Sequence, residues 1–268
     1  MNTAPYLSIV VPAYNEVGRI RETLAAMRTY LDGQSYGYEI IVSADGTDGT
    51  REAAAEFAGS DERIRVMGSQ QRAGKGRGVR NGVLAAHGQI IGFIDADYKT
   101  AIDEVEKVLP WFDQGFDVVI GSRALSTSRI EKFQPLYRRV GSKVFNRVLR
   151  AAMGLREVRD TQCGFKFMRA AVARDIFSRQ AVDGYMFDVE ILMLVFQLNY
   201  RLKEVGVAWR DDGDTRYDPV TGTLRNAREL ARIRYGQLRH GIPTPAAERL
   251  AVIQTTVAET PAAGASKA

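Results

Sequence analysis

The chain has 268 residues, 45% of them hydrophobic, with one cysteine, two histidines and a formal net charge of +5. That is ample apolar content for one sizeable buried core, and it excludes a disulfide framework, a cysteine-rich zinc centre and a histidine-built metal site. Any metal would be held by oxygen, as Mg²⁺ and Mn²⁺ are. The positive charge admits nucleic acid, an anionic membrane surface or phosphorylated small molecules, and composition does not choose among them.

Met1 to Pro5 has neither a basic n-region nor a long apolar run, so no signal peptide is expected. In chain order, Leu7–Pro12, Glu39–Val42, Ile64–Met67, Ile90–Ile94 and Val118–Ile120 are continuous apolar, β-branched runs. Such runs suit strands covered on both faces. Helical patterns lie between them: Glu16–Leu31, Thr47–Ala58, Lys75–His87 and Ile102–Trp111. The alternation predicts an α/β, mostly parallel, doubly wound sheet, with ligands beyond the carboxyl ends of the strands. After residue 125 the pattern changes. Arg129–Arg150 reads as a basic amphipathic helix, followed by a loop through Asp160–Lys166, helices at Ala170–Phe177 and Phe187–Leu198, and a strand at Lys203–Trp209. Asp211–Thr223 is polar and Gly-containing, a candidate flap, and Asn226–His240 is a second basic helix. The tail from Pro243, rich in Ala, Thr and Pro, is expected to be disordered. The longest apolar run, Ile191 to Phe196, is far below the ~20 residues that cross a bilayer, so the chain is expected to be soluble or peripheral.

The chemistry gathers at the strand ends. Asp95-Ala96-Asp97 closes a buried strand, and two carboxylates so spaced can share one hard cation once the strand geometry breaks. An isolated pair of this kind is more often a solvated loop. Its context raises it. Tyr14, in Val11-Pro12-Ala13-Tyr14-Asn15-Glu16, can border a base; Glu16 and Asp45 can accept from base or ribose donors. Arg72-Ala73-Gly74-Lys75-Gly76 puts cations and glycines before a helix start, where backbone can approach an anion. Each piece has a plainer reading: Tyr14 as packing, Asp45 as a turn former before Gly46, Lys75 as a solvated cation, Cys163 as a small buried residue.

Together VPAYNE, the Asp/Gly/Thr loop after EIIV, RAGKGRGVRNG, IDAD and GSR resemble the family 2 glycosyltransferases of the GT-A fold. Arg159-Asp160-Thr161-Gln162-Cys163-Gly164-Phe165-Lys166 and Phe187-Asp188-Val189-Glu190 resemble the dolichyl-phosphate β-glucosyltransferase branch, and are similar to the polyprenyl-phosphate mannose synthases. The resemblance runs from about Leu7 to Trp209. It implies an inverting transfer of a hexose from UDP-glucose or GDP-mannose to a polyprenyl phosphate, dependent on Mg²⁺ or Mn²⁺. It implies donor binding by Pro12, Tyr14, Glu16, Asp45, Lys75, Asp95 and Asp97, with the metal at Asp95 and Asp97. It implies acceptor-phosphate contacts from Arg123, Arg138 and Ser142; the last two stand four apart, on one face if helical. Of the acids, Asp97 is the expected direct ligand, Asp95 acting through metal, sugar or ribose. A phosphate acceptor needs no strong base, since much of it is already dianionic at neutral pH. A hydroxyl acceptor needs one, and Asp160 and Asp188 are the candidates, with pairing to a basic neighbour or helix capping as their structural alternatives.

Three features depart from the pattern. The loop usually reading DDGS is here Ser43-Ala44-Asp45-Gly46-Thr47, so Asp45 matches either family acid. Lys99 stands where mannose synthases carry a glutamine near the metal; as an ammonium it does not ligate and can contact a phosphate instead. The N-terminal membrane anchor of the eukaryotic glucosyltransferases is not seen. One catalytic domain is expected over 1–242, a nucleotide-sugar half at 1–124 and an acceptor half at 125–242, with a tail at 243–268. The expected location is the cytoplasm, peripheral on the cytoplasmic membrane face through the basic amphipathic stretches. Two readings compete: a basic nucleic-acid-binding protein, disfavoured because acids interleave the cations of the first half and no such motif is seen, and an inactive nucleotide-binding module.

Overall fold

A computed structural model describes residues 4–131, 146–210 and 219–245. Five strands follow the apolar runs: β1 (Leu7–Tyr14), β2 (Tyr38–Asp45), β3 (Ile64–Met67), β4 (Ile90–Ile94) and β5 (Val118–Ser122). Helices α1 (Ile20–Asp32), α2 (Thr50–Ala58) and α3 (Lys75–Ala85) connect the first four. The predicted helix over Ile102–Trp111 is broken: Ile102–Lys107 is a 3₁₀ turn and α4 (Leu109–Asp113) starts afresh with Pro110 in its first turn. A proline has no N–H to continue the preceding ladder but suits a helix start.

The seven-stranded sheet runs β3-β2-β1-β4-β7-β5-β8, with β7 (Phe165–Arg169) antiparallel to both its neighbours and the other pairings parallel. Residues 165 and 166 had been read as loop; they begin a central strand. Phe165 and Phe167 face one core and Met168 the other, but Lys166 interrupts the apolar run. The strand before the C-terminal region is also two pieces, β8 (Leu202–Gly206) in the main sheet and β9 (Ala208–Trp209), which pairs in parallel with β6 (Arg129–Ile130). The predicted basic helix over Arg129–Arg150 is therefore corrected at its start, where the chain is strand. Residues 146–153 form α5; Arg138 and Ser142 lie outside the described residues.

The side-chain alternation of the strands builds two cores. Leu7, Ile9 and Val11 pack with Leu24, Met27 and Val105 on one face. Val10, Ile91 and Phe93 pack with Val79, Ile176 and Leu192 on the other. The second core receives α3, α5, α6 (Ala170–Arg179) and α7 (Phe187–Gln197). Residues Phe187 to Val195 of α7 are all buried, Asp188 and Glu190 among them. The last helix, α8 (Pro219–His240), begins earlier than its basic pattern suggested, so the end of the predicted flap is helical, and 211–218 lie outside the described residues, as does the tail beyond 245.

Candidate active site

The carboxyl ends of β1, β2 and β4 open on one edge of the sheet, and the register pairs Tyr14 with Asp45. The Arg72 guanidinium lies over the Tyr14 ring, 4.3 Å from its centroid, and reaches toward the Tyr185 hydroxyl at 3.5 Å. Tyr14 is not packing filler: it is 37% exposed at this mouth. Asp45 accepts the Ala73 N–H at 2.8 Å and the Ser69 N–H at 3.1 Å, so its carboxylate fixes the loop that carries Arg72. Pro12 lies in β1 opposite Ser43, and the Glu16 N–H donates to Thr50 Oγ1 at 2.8 Å. Asp48, accepting from the Thr50 N–H and hydroxyl, caps the turn into α2.

Lys75 opens α3. Gly74 before it has φ +109°, and a side chain there would collide with the Asp183 carbonyl, so only glycine lets the 180s loop close on this helix start. Lys75 Nζ lies 2.7 Å from Asp95 Oδ1. This is a charge contact and not an aligned hydrogen bond, for that buried oxygen has no hydrogen-bond partner among the described residues. Burial pulls the Lys75 ammonium down, but the charges of Asp95 and Asp188 outweigh it and hold the pKa above its ordinary value.

The Asp95 N–H donates to the Gly164 carbonyl at 3.1 Å, and a Cβ on Gly164 would overlap the Asp95 carboxylate, so β7 approaches the acid pair as closely as backbone allows. At Tyr98 φ turns to +53°, a left-handed residue that folds Lys99 back on Asp97. Lys99 Nζ sits 3.4 Å from Asp97 Oδ2 and 5.8 Å from the centre of the Trp209 ring. Burial, then the charge of Asp95, pushes the Asp97 carboxyl up from its ordinary value. Asp95 and Asp97 are the residues that could hold a divalent ion, each already facing a lysine. Like charges meet there in a desolvated strand end, with one buried oxygen lacking a hydrogen bond, and two carboxylates leave room for substrate and water oxygens. No cluster of three His, Cys, Asp or Glu suited to a metal occurs among the described residues, so such an ion would depend on those added ligands.

Arg123, just past β5, is fixed by Asp160: its Nε donates to Oδ2 at 2.7 Å, its Nη2 to Oδ1 at 2.9 Å and its backbone N–H to Oδ2 at 2.9 Å. Burial raises the Asp160 carboxyl, but Arg123 outweighs it and brings the pKa to about 2. Asp160 is a candidate base; both its oxygens accept from Arg123 and its basicity is lowered. Asp188 was the other candidate. The N-cap of α7 has no side-chain hydrogen bond, and Asp188 instead accepts from Lys166 Nζ at 2.6 Å, with Lys166 fully buried. Burial raises the Asp188 carboxyl, against the pull of Lys166. Lys166 and Trp209 were missed from the sequence. A lysine in an FKFM alternation does signal a committed buried charge; nothing marked Trp209.

Residues 8–177 match the family described as Glycosyl transferase family 2. The chain belongs to that family. Among its relatives is the dolichyl-phosphate beta-glucosyltransferase of Drosophila melanogaster, 33% identical over 84% of this chain and 73% of that protein. The protein of the same name from Dictyostelium discoideum is 31% identical over 87% and 75%. The fold is shared with glucosyl-3-phosphoglycerate synthase of Mycobacterium tuberculosis, solved with Mn²⁺, uridine diphosphate and phosphoglyceric acid: TM-score 0.61, 22% identity, 89% of this chain and 80% of that one. The chain is thus a GT-A, family 2 hexosyltransferase. Among the described residues, no helix is long and apolar enough to cross a membrane.

Proposed function

We propose that this transferase moves glucose from UDP-glucose to a polyprenyl phosphate, with inversion. The observation that carries the acceptor class is the commitment of the cleft's carboxylates. Asp160 is bound to Arg123 and Asp188 to Lys166. Neither is placed to take a proton from a sugar or glycerol hydroxyl, whereas a phosphate nucleophile is already an anion and needs only to be held in line. The names of the relatives support glucose and dolichyl phosphate, and solved neighbours hold Mn²⁺ with UDP-glucose.

In this reading Tyr14 and Arg72 border the base, and Pro12, Glu16 and Asp45 shape the nucleoside end. Lys75, at the positive end of α3, meets the diphosphate. Asp95 and Asp97 would hold Mg²⁺ or Mn²⁺, which neutralises the departing diphosphate. Arg123, oriented by Asp160, holds the phosphate nucleophile, joined by Arg138 and Ser142 from the acceptor half. Its charge stabilises the transfer electrostatically without moving a proton. The exposed Tyr235, Leu238 and Ile242 lie beside Arg232, Arg234 and Arg239 on and just past α8, which supports docking on an anionic membrane surface.

The test is a panel of UDP- and GDP-sugars with Mn²⁺, with and without polyprenyl phosphate, followed by nucleoside diphosphate release. UDP release from UDP-glucose that depends on the lipid phosphate is expected. Preference for GDP-mannose refutes the donor; turnover only with hydroxyl acceptors refutes the acceptor. Flotation on anionic vesicles, lost at high salt, checks the membrane surface.

A further inference from the structure

Each acid of Asp95-Ala96-Asp97 already faces an ammonium. Lys75 contacts Asp95 at 2.7 Å and Lys99 contacts Asp97 at 3.4 Å. The two contacts are unlike. Lys75 is anchored in the first turn of α3 and feels Asp188 and Asp97 as well as Asp95. Lys99 follows the left-handed turn at Tyr98, and its ammonium makes the longer of the two ion pairs, 3.4 Å against 2.7 Å. Its backbone is fixed, the carbonyl accepting the Arg210 N–H at 2.9 Å, while the ammonium lies near a second resting surface, the Trp209 ring at 5.8 Å. A shift of the ammonium from Asp97 toward the ring therefore does not require the loop backbone to move.

The charges decide when it would leave. Among the described residues, the two carboxylates and the two ammonium groups that face them sum to zero. A bare divalent cation entering this cleft adds two uncompensated positive charges beside Lys75 and Lys99, in a place water screens poorly. The same cation carried with a nucleoside diphosphate arrives near neutral. The ammonium that gives up Asp97 then finds a phosphate oxygen in reach, so its pairing is exchanged and not lost.

We propose that Lys99 makes metal binding conditional on the donor, occupying Asp97 in the empty cleft and passing to the donor diphosphate when metal and nucleotide enter together. This rests on the reading of Asp95 and Asp97 as the metal–diphosphate site. It gives a family 2 transferase an internal cation that keeps stray divalent ions out of an empty site.

The test is calorimetric titration of the full chain with Mn²⁺, alone and with saturating UDP, so that no turnover is needed. Wild type should bind Mn²⁺ at least about tenfold more tightly with UDP than without. Lys99→Met, which removes the charge and offers no hard ligand, should bind Mn²⁺ alone about tenfold more tightly than wild type and show a smaller gain from UDP. Lys99→Ala, the second neutral variant, should do the same, and Lys99→Arg should behave as wild type. Unchanged Mn²⁺-only affinity in folded neutral variants overturns the role of Lys99 and leaves the metal site standing. Undiminished Mn²⁺ binding with UDP in Asp97→Asn overturns the site and the proposal with it.

Discussion

The Arg123–Asp160 pair offers the sharpest quantitative test. Asp160 is 2% exposed, and its carboxyl titrates near pH 2 in the fold against 3.8 for an ordinary aspartate. A depressed folded pKa contributes stability that is complete above the unfolded value and lost as pH falls toward the folded one. Just under two pH units correspond to about 2 kcal/mol, of which about 1 kcal/mol is gone by pH 3. Asp160→Asn keeps the shape but removes the charge and two of the acceptor geometries, leaving a guanidinium that is largely buried and half-paired. It should cost ~2–4 kcal/mol at pH 7, toward the low side of a broken buried pair because Arg123 is 31% exposed. Urea unfolding of wild type and variant at pH 7, 5, 4 and 3 isolates the pair from the other acids, which titrate in both proteins. The gap between the two curves should be constant from pH 7 to 5 and narrow by about 1 kcal/mol by pH 3. A gap that stays constant to pH 3 refutes the pairing as described. Kinetics separate orienting from proton transfer. If Asp160 orients, Asp160→Asn raises the acceptor KM with the pH profile of kcat unmoved. If it is a base, the acid limb of that profile disappears.

Three further outcomes follow from the geometry. Gly164→Ala puts a Cβ into the Asp95 carboxylate and should reduce turnover about 100-fold while the fold survives, since displacement of a group by ~1 Å can cost that much; wild-type rates with an unchanged melt would refute the close approach. Burial pushes the Cys163 thiol up to about 12, and the residue is 1% exposed, so iodoacetamide at pH 8 should leave it unlabelled until urea unfolds the chain; stoichiometric native labelling would contradict this. Lys166→Met strands the buried Asp188 and should cost roughly 3–5 kcal/mol at pH 7. It should cost less at pH 5, because a stranded carboxyl with a raised folded pKa is stabilised by taking up a proton. Adding Asp188→Leu should recover most of the loss, which urea midpoints would show.

Most of the fold was written in the periodicity. Ile90–Ile94 is buried at every position and reads as a strand because nothing in IIGFI prefers water. Where periodicity failed, a side chain had been recruited for something other than packing. Lys166 broke the apolar run of β7, and only the distant Asp188 makes that lysine acceptable in a core. Ile102–Trp111 reads as one helix, and the missing amide of Pro110 divides it. Arg129 and Ile130 carried the charge and spacing of the helix they were assigned to, but their pairing with Ala208 and Trp209 is a long-range fact that no local pattern encodes.

The candidate site residues could be named from the sequence, but their pairings could not, for the same physical reason. A motif such as Asp95-Ala96-Asp97 announces that charge is wanted at a strand end. It is silent on which cations will balance it, because Lys75, Lys99, Lys166 and Arg123 come from four separate segments that only the sheet topology brings together. The balance changes what the acids can do. Paired with Arg123, Asp160 trades basicity for a fixed cation, which suits the anionic nucleophile proposed for this site. On the proposed reading, the acceptor class is set less by which acids the chain carries than by which of them its own cations have already claimed.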